Sequence, residues 1–470
     1  MTYLPTFESI ATHPAPAWYQ DAKLGIFVHW GLYSVPGWAP HGADINDQVA
    51  SAGWESMFAN NPYAEWYQNT LRLGDTPTRR HHQATYGREF AYDDFAPMFR
   101  QAAEGCDPGR WATLFEKVGA RYVVFTTKHH DGFLMWPSQD TSPSRPGRFA
   151  SERDIVADVT EAARAHHMRV GLYYSGGLDW TFNEQPVRSY MDVYSTIVQD
   201  PAFISYVTKH WHELIDRFAP SILWNDIGSP RAFDLASLVA AYYNAVPDGL
   251  VNDRWGQRLP DHVPGPGEMI MSPPAAHYDY TTPEYDSYPE VTEHKWEATR
   301  GIGHSFGYNV NEGPDDHLSV TELVRSLVDI VSKNGNLLLN VGPMADGTIP
   351  DLQRDRLLGL GAWLDVNGEA IFETRPWLSA EGRCGDGTRV RFTQREDALY
   401  AILLGAPATR DVLLEGLRAA DGTEVRLLGH PDPLNCSEAA DGLRVTLPGG
   451  LTEAAAHALK VTPKPRQLKD

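Results

Sequence analysis

Cysteine is scarce in this chain of 470 residues, which has three, Cys106, Cys384 and Cys436, and no CxxC pair. So small and odd a set predicts neither a disulfide framework nor a thiolate metal site. No apolar run approaches the roughly 20 residues of a membrane helix. The N-terminus also lacks the basic start and apolar core of a signal peptide. We therefore expect a cytoplasmic protein without a membrane partner.

Positive charge is also in short supply, because 40 Lys and Arg stand against 61 Asp and Glu, for a formal net charge of −21. A nucleic acid or an anionic membrane would require basic patches, so this balance argues against both as partners. No P-loop or GxGxxG pattern stands between a strand and a helix, and a nucleotide cofactor is therefore not expected. The charge balance fits a neutral or cationic ligand.

Aromatic residues are abundant, with 14 Trp, 21 Tyr and 17 Phe. Several stand beside polar residues, in HWG, EWY, LWND and DRWG. Such pairs are typical of a sugar site, where an apolar sugar face stacks on a ring while the hydroxyls find hydrogen-bond partners. For any single ring, a place in the hydrophobic core is an equally good interpretation.

Five short apolar runs each carry or lead into polar or aromatic side chains. The runs read GIFVHWG, YVVFTTKHHDG, VGLYYS, SILWND and LVNDRW. They deliver His29, His129, His130, Tyr173, Asp226 and Arg254. Apolar runs of this kind are typical of buried parallel strands, and catalytic groups of a barrel gather at the carboxyl ends of such strands. Five runs in order therefore predict one shared active face.

Strand-like and helical patterns alternate from about residue 20 to about residue 370. Such βα repetition predicts a (β/α)8-like TIM barrel or a doubly wound sheet. Polar groups on five separate strands favour the barrel, since a doubly wound sheet concentrates its site at one switch point. Within this region, SERDIVADVTEAARAHHM predicts a helix with a capping Ser at its start.

The last hundred residues have a different pattern. Short alternating runs such as RVRFTQ, ALYAILLG and LRVTLP are separated by Gly, Asp and Pro turns. This pattern predicts a C-terminal antiparallel β-sandwich. We place the catalytic barrel at residues 1–373 and the sandwich at residues 374–470.

Glycoside hydrolysis commonly uses two carboxyl groups, and Asp226 is the candidate for the ionised one. It ends a buried run, and Trp224 lies two residues earlier on the same strand face. The alternative is that Asp226 caps the following helix. The residues IGSPRAF delay that helix, which weakens the alternative.

The second carboxyl group is not fixed by composition. The candidates are Asp261, Glu268, Asp279, Glu284, Asp286, Glu290, Glu293 and Glu297. Glu284 is the favourite because it lies among aromatic residues in TTPEYDSYP, where partial burial would raise its pKa and suit a general acid. Glu290, Glu293 and Glu297 are interpreted as surface charges.

His129 and His130 are adjacent, so in a continuous strand they would point to opposite faces. Both can face one pocket only where the strand has ended or bulges, and the following Asp-Gly makes a break plausible. A metal-dependent barrel hydrolase stays open as an alternative. The metal signal is weak, because the chain has no HExxH and no HxH on the first strand.

Taken together, these residues resemble glycoside hydrolase family 29, the α-L-fucosidases, and most of all its bacterial members of broad substrate range. The matching stretches are DAKLGIFVHWGLYSVPGW, PYAEWYQNT, RYVVFTTKHHDGFLMWPS, VGLYYSGGLDW, LWNDIG, VNDRWG, TTPEYDSYP, HKWEATRGIGHSFGYNVNEG and SKNGNLLLNVGPMADGTIP. They run in family order from about residue 18 to residue 372. The tail also resembles the family's C-terminal domain.

The resemblance implies a retaining hydrolase of terminal α-L-fucose that uses no metal and no cofactor. It implies that Asp226 is the nucleophile and Glu284 the general acid/base. It further implies sugar contacts from His29, Glu65, Trp66, His129, His130, Tyr173, Trp224 and Arg254. A catalytically silent fucose-binding protein is the second alternative.

Three questions stay open at the level of sequence. Arg254 either contacts the substrate or holds a catalytic carboxylate. The Pro-rich segment 257–278 either shapes the leaving-group side of the site or is an inert surface insertion. The expected partner is a small fucoside or an oligosaccharide, and the aromatic content would also allow a homo-oligomer.

Overall fold

The computed structural model describes residues 2–145, 149–449, 451 and 454–468. In its first unit, strands and helices alternate along the chain. The strands are β1 (Leu24–Val28), β2 (Tyr122–Lys128), β3 (Arg169–Ser175), β4 (Ile222–Asp226), β5 (Leu250–Val251), β6 (Trp296–Gly301) and β7 (Gly335–Val341). The helices are α1 (Phe7–Ile10), α2 (Ala17–Ala22), α3 (Ile45–Ala59), α4 (Tyr67–Arg72), α5 (Pro77–Tyr86), α6 (Phe95–Ala103), α7 (Pro108–Val118), α8 (Ile155–Ala165), α9 (Tyr190–Ser195), α10 (Pro201–Phe218), α11 (Leu235–Ala245), α12 (Val320–Ser332) and α13 (Asp351–Asn367). Short 3-10 helices lie at Leu32–Ser34, Ala64–Trp66, Tyr92–Asp94, Pro314–Asp316 and Gly368–Ala370.

The seven strands form one parallel sheet in the order β5-β4-β3-β2-β1-β7-β6. The register brings Val28 beside both Phe125 and Val341, and Tyr173 beside Trp224. Apart from two half-exposed arginines, these strands are buried on both faces, which explains why most of them read as apolar runs. The predicted TIM-like barrel followed by a β domain is confirmed.

The eighth position of the barrel is filled by the extended segment 280–284. Isolated parallel bridges join Tyr280 to Asn252, just beyond β5, and join Thr281 and Glu284 to β6. The amide of Thr299 donates to the carbonyl of Pro283 at 3.0 Å. The segment that carries Glu284 is therefore part of the barrel wall, although it is too irregular to count as a strand.

Helix starts in the structure follow from capping chemistry. Asp200 accepts a hydrogen bond from the amide of Ala202 ahead of α10, and Ser319 forms a capping box with Glu322 ahead of α12. Helix α8 differs from the prediction, because Asp154 caps it and not the earlier Ser151. Asp154 is the cap because it stands immediately before the first helical residue.

The second unit is an antiparallel sheet of eight strands in the order β11-β15-β14-β13-β16-β10-β9-β8. Its strands are β8 (Arg375–Arg383), β9 (Arg389–Gln394), β10 (Leu399–Leu403), β11 (Asp411–Glu415), β13 (Glu424–Leu427), β14 (Pro433–Ala439), β15 (Gly442–Thr446) and β16 (His457–Thr462), while β12 (Leu417–Arg418) pairs separately with β17 (Arg466–Gln467). The two edges of the sheet meet at a bridge between Cys384 and Leu414. The sheet thus folds over its own apolar core. Within the described ranges, no helix has the length and hydrophobicity to cross a bilayer.

Candidate active site

A cavity opens at the carboxyl ends of the barrel strands. All ten residues predicted from the sequence line this one cavity. They are His29, Glu65, Trp66, His129, His130, Tyr173, Trp224, Asp226, Arg254 and Glu284. The structure therefore brings together groups that are spread over 256 positions of the chain.

Asp226 is the last residue of β4 and is held by hydrogen bonds on both carboxylate oxygens. The hydroxyl of Tyr173 donates to Oδ2 at 2.8 Å, and Nη1 of Arg254 donates to Oδ1 at 3.0 Å. The helix that follows is capped by Asp234, so Asp226 has no capping role. Its carboxylate is fixed in place and faces the cavity.

Arg254 bridges the two candidate catalytic carboxylates. Its Nη2 donates to Oε2 of Glu284 at 3.0 Å, while its Nη1 binds Asp226. Nε donates to Thr282 at 2.9 Å, and the guanidinium lies 4.9 Å from the ring centre of Trp224. Burial lowers the pKa of Arg254, but the two carboxylates raise it more, and the net pKa lies above its ordinary value. The sequence left open whether Arg254 contacts the substrate or holds a catalytic carboxylate, and the structure shows that it contacts both carboxylates.

Tyr63 is a site residue that the sequence did not single out. Its hydroxyl donates to Oε1 of Glu284 at 2.8 Å. Burial first, and then the charge of Glu284, raise the pKa of Tyr63 well above its ordinary value, so the hydroxyl stays a donor. The signal was its place in PYAEWYQNT, two residues before the predicted Glu65.

His29 presents a defined nitrogen to the cavity. Its Nδ1 lies 2.7 Å from Oδ1 of Asn340, whose Nδ2 donates to the carbonyl of Phe306. Because Oδ1 of Asn340 must accept, Nδ1 of His29 carries the proton and Nε2 is a free acceptor. Burial lowers the pKa of His29 to about 4, which keeps the ring neutral near neutral pH.

His129 and His130 both follow the end of β2, and the strand register shifts just before them. Both rings face the cavity, with centroids 4.0 Å apart, as the broken-strand alternative requires. Nδ1 of His130 lies 2.6 Å from the hydroxyl of Ser175, which itself donates to Leu178. Burial lowers the pKa of His130 to about 3, so its Nε2 is also an acceptor.

Glu65 and Trp66 enter the cavity from a 3-10 helix. The amide of Gly307 donates to Oε2 of Glu65 at 2.7 Å. Burial raises the pKa of Glu65 to about 8, so this carboxyl is protonated at neutral pH. The ring of Trp66 meets that of His130 edge to face at 5.1 Å. Glu65 thus presents a polar group to the cavity, and Trp66 presents an apolar ring.

The interpretation of Glu297 as a surface charge was wrong. Glu297 lies in β6, is fully buried and accepts hydrogen bonds from Tyr19, Tyr122 and Trp224 at 2.9, 2.6 and 3.0 Å. It points into the barrel because its neighbours in WEATRG alternate across the strand. Glu290 is exposed, as predicted for it.

In the part of the chain that the structure describes, no group of three or more His, Cys, Asp or Glu side chains is arranged to hold a metal ion. Two of the cavity histidines instead contact polar side chains, His29 the amide of Asn340 and His130 the hydroxyl of Ser175.

The chain matches known families over nearly its whole length. A family model described as Alpha-L-fucosidase matches residues 1–369, and a model described as Alpha-L-fucosidase C-terminal domain matches residues 387–462. The tissue alpha-L-fucosidase of Homo sapiens is 32% identical over 458 residues, which cover 95% of this chain and 88% of the relative.

Solved structures agree with these matches. One described as an alpha-L-fucosidase is 43% identical, with a TM-score of 0.88 over 98% of this chain and 100% of that chain. The alpha-fucosidase of Thermotoga maritima in complex with fucose is 43% identical, with a TM-score of 0.85 over the same shares of the two chains. The chain therefore belongs to the α-L-fucosidase family, glycoside hydrolase family 29.

Proposed function

We propose that this protein hydrolyses terminal α-L-fucosides with retention of configuration, with Asp226 as nucleophile and Glu284 as general acid/base. The observation that carries the proposal is the bridge of Arg254 between these two carboxylates at one cavity wall. One arginine head holds both groups close together, as a retaining enzyme needs, since an inverting enzyme leaves room for a water between them. Fucose bound to a 43% identical structure gives independent support for the sugar.

In the first step, an oxygen of Asp226 bonds to the anomeric carbon of fucose. The bond from that carbon to the glycosidic oxygen breaks, and its electron pair goes to the oxygen. That oxygen takes the proton of Glu284 and leaves as an alcohol. The products are a fucosyl ester of Asp226, the ionised Glu284 and the free aglycone.

In the second step, water attacks the same carbon and gives a proton to Glu284. The ester bond to Asp226 breaks, and its electron pair restores the carboxylate. Two inversions at one carbon give net retention. Fucose is released, and both carboxyl groups return to their starting states.

The remaining cavity residues suit the recognition of a deoxy sugar. His29 and His130 offer neutral ring nitrogens that accept from sugar hydroxyls, whereas the protonated Glu65 can donate. Trp66 and Trp224 supply apolar surface for the ring face and the methyl group. We assign sugar contacts also to His129 and Tyr173, and assign to Arg254 the placing of the carboxylates.

The test is turnover of an aryl α-L-fucoside by the wild type and by Asp226→Gly, with and without azide. We expect the variant to lose about 10⁴-fold or more in kcat, because the nucleophile is absent. Azide should then restore turnover by filling the space and yield a fucosyl azide. Near-full activity of the variant without azide would overturn the assignment.

Two controls separate the alternatives. A chelator that abolishes wild-type turnover, with recovery on addition of Zn²⁺, would show a metal-dependent hydrolase instead. Fucose affinity without turnover of the aryl fucoside would show a silent binding protein.

A further inference from the structure

The Pro-rich segment 257–278 packs against the mouth of the active-site cavity. The indole Nε1 of Trp54 in α3 donates to the carbonyl of Pro264 at 2.9 Å. The hydroxyl of Tyr190 donates to the carbonyl of Met271 at 3.1 Å, and Ile270 lines the cavity. Of the two interpretations left open by the sequence, these contacts favour the one in which the segment shapes the leaving-group side of the site.

A second cavity adjoins the first beneath this segment, and we call it the outer chamber. Trp54 and Ile270 line both cavities, so the two spaces meet across these side chains. Tyr285 and Asp286, the two residues after Glu284, also line the outer chamber. Glu284 itself lines the first cavity, and the outer chamber begins at the two residues that follow it.

The walls of the outer chamber combine apolar and polar surface. Trp54, Val49 and Ile270 form an apolar side, and the ring of Trp54 is held by its bond to Pro264. Asp286 and Glu268 supply carboxylates. The amide of Ser287 donates to Asp286 and that of Gly265 to Glu268, and Nε2 of His262 also lies 3.5 Å from Oε2 of Glu268. Carboxylate oxygens with spare lone pairs accept from hydroxyls and repel anions.

We propose that the outer chamber is the subsite for the leaving group, and that it takes a neutral pyranose residue which carries the fucose. The apolar C–H face of that sugar packs on Trp54, and its hydroxyls donate to Asp286 and Glu268. A leaving-group sugar with a carboxylate or sulfate is disfavoured by the two acidic side chains. This inference rests on the fucosidase activity proposed above.

The experiment compares two substrates of the full-length enzyme. α-L-Fucosyl fluoride fills only the inner cavity, whereas a neutral fucosyl disaccharide also fills the outer chamber. We expect Trp54→Ala to lower kcat/KM for the disaccharide about tenfold more than for the fluoride, because a sugar–aromatic contact is lost. Asp286→Asn should lower the same ratio about threefold, since an amide is a weaker acceptor than a carboxylate.

A charged substrate gives a second readout. The wild type should prefer the neutral disaccharide to one whose leaving group is a uronic acid, and Asp286→Asn should narrow that preference. Glu290→Gln is the matched control, because Glu290 is exposed and lies outside both cavities. In Glu290→Gln, the ratio of the rates on the neutral and the uronic-acid disaccharide should equal that of the wild type.

The outcomes are distinct. An unchanged ratio of disaccharide to fluoride in both Trp54→Ala and Asp286→Asn would overturn the subsite, even with full hydrolysis of the fluoride. No hydrolysis of the fluoride by the wild type would instead overturn the proposed function itself. Asp286 is partly exposed, so Asp286→Asn is expected to fold. The test therefore still applies through this variant if Trp54→Ala does not fold.

Discussion

At the scale of single residues, the protonation of Glu284 is the central question for catalysis. Both of its oxygens accept hydrogen bonds, from Tyr63 and from Arg254, which is the arrangement of an ionised carboxylate. A general acid must carry a proton before the first step. The contact with Arg254 is therefore expected to loosen when the substrate binds, so that an oxygen of Glu284 can face the glycosidic oxygen.

Removal of this carboxyl group should affect substrates unequally. Glu284→Ala is expected to lower kcat/KM by about 10²–10⁴-fold for fucosides with poor leaving groups, which depend on proton transfer. Fucosyl fluoride should lose far less, because fluoride leaves without a strong acid. A plot of rate against leaving-group pKa measures this, and a uniform loss over the whole series would contradict the role.

Glu65 gives a prediction about stability and pH. Its pKa is about 8 in the folded protein and about 4.5 when unfolded, because burial disfavours the charge. Between these values the folded state holds one more proton, so this group's stabilisation is full below pH 4.5 and is lost as pH rises through 8. Glu65→Gln removes that dependence.

Urea unfolding at pH 5.5 and at pH 7.5 tests the assignment. Over this interval the wild type should lose about 2.5 kcal/mol relative to Glu65→Gln, because one proton over two pH units corresponds to about 2.7 kcal/mol. Parallel changes in the two proteins would show that Glu65 titrates normally in the fold.

At the scale of elements, the sequence predicted what an apolar run can show. Strands β1 to β5 all lie where the five runs predicted them, since parallel strands are buried on both faces. Segment 280–284 escaped this reasoning, because TTPEY has neither an apolar run nor a regular alternation. From its aromatic neighbours Glu284 was only the favourite of eight candidates, the resemblance then assigned it the acid/base role, and its place in the barrel wall came only from the structure.

Strand β6 shows the opposite difficulty. Its residues WEATRG look half polar, yet Glu297 and Thr299 are buried. Only tertiary structure shows that Tyr19, Tyr122 and Trp224 gather around this carboxylate. A buried carboxyl with its donors inside a barrel leaves no pattern in a single sequence.

Glu297 is predicted to support the active site from below. Its carboxylate holds the indole of Trp224, which lies against the guanidinium of Arg254. Glu297→Gln replaces one acceptor oxygen by an NH2 group, a donor that faces other donors, and should cost about 1–3 kcal/mol of unfolding free energy. Urea unfolding checks this, with exposed Glu290→Gln as the control. Equal unfolding free energies of the two variants would show that the Glu297 carboxylate does not stabilise the fold.

Helix α3 is broken at Gly53, which has φ of 78° and ψ of 168°. This conformation is essentially restricted to glycine, and the break places Trp54 at the cavity mouth. No heavy atom lies within 4 Å of a Cβ added there, so a substitution meets backbone strain alone.

Gly53→Ala is therefore expected to cost about 1–3 kcal/mol and to displace Trp54. Its ratio of disaccharide to fluoride hydrolysis should fall in the direction expected for Trp54→Ala. Gly105→Ala is the control, because that site is equally open but its φ lies outside the left-handed region. Identical behaviour of the two variants would rule out a role for the helix break.

At the scale of the whole molecule, the barrel and the C-terminal sheet are joined by specific contacts. Arg391 in β9 donates to Asp329 of α12 at 2.7 Å. The indole of Trp363 in α13 donates to the carbonyl of Ala456 at 2.8 Å. The order of the two units was predictable from the change in hydrophobic period. Their packing was not, because it depends on side chains distant in sequence. The cytoplasmic location and a homo-oligomer stay predictions.

The covalent step is the centre of this account, and trapping it is the most direct measurement. In a 2-deoxy-2-fluoro-fucosyl fluoride, the 2-fluorine slows both steps because it destabilises their cationic transition states. The anomeric fluoride is a good leaving group and restores the rate of the first step alone, so the ester should accumulate. Mass spectrometry of the digested enzyme should then find one added fluorofucosyl group, on the peptide and residue of Asp226. A label on another residue, or full inactivation without any covalent adduct, would contradict the mechanism.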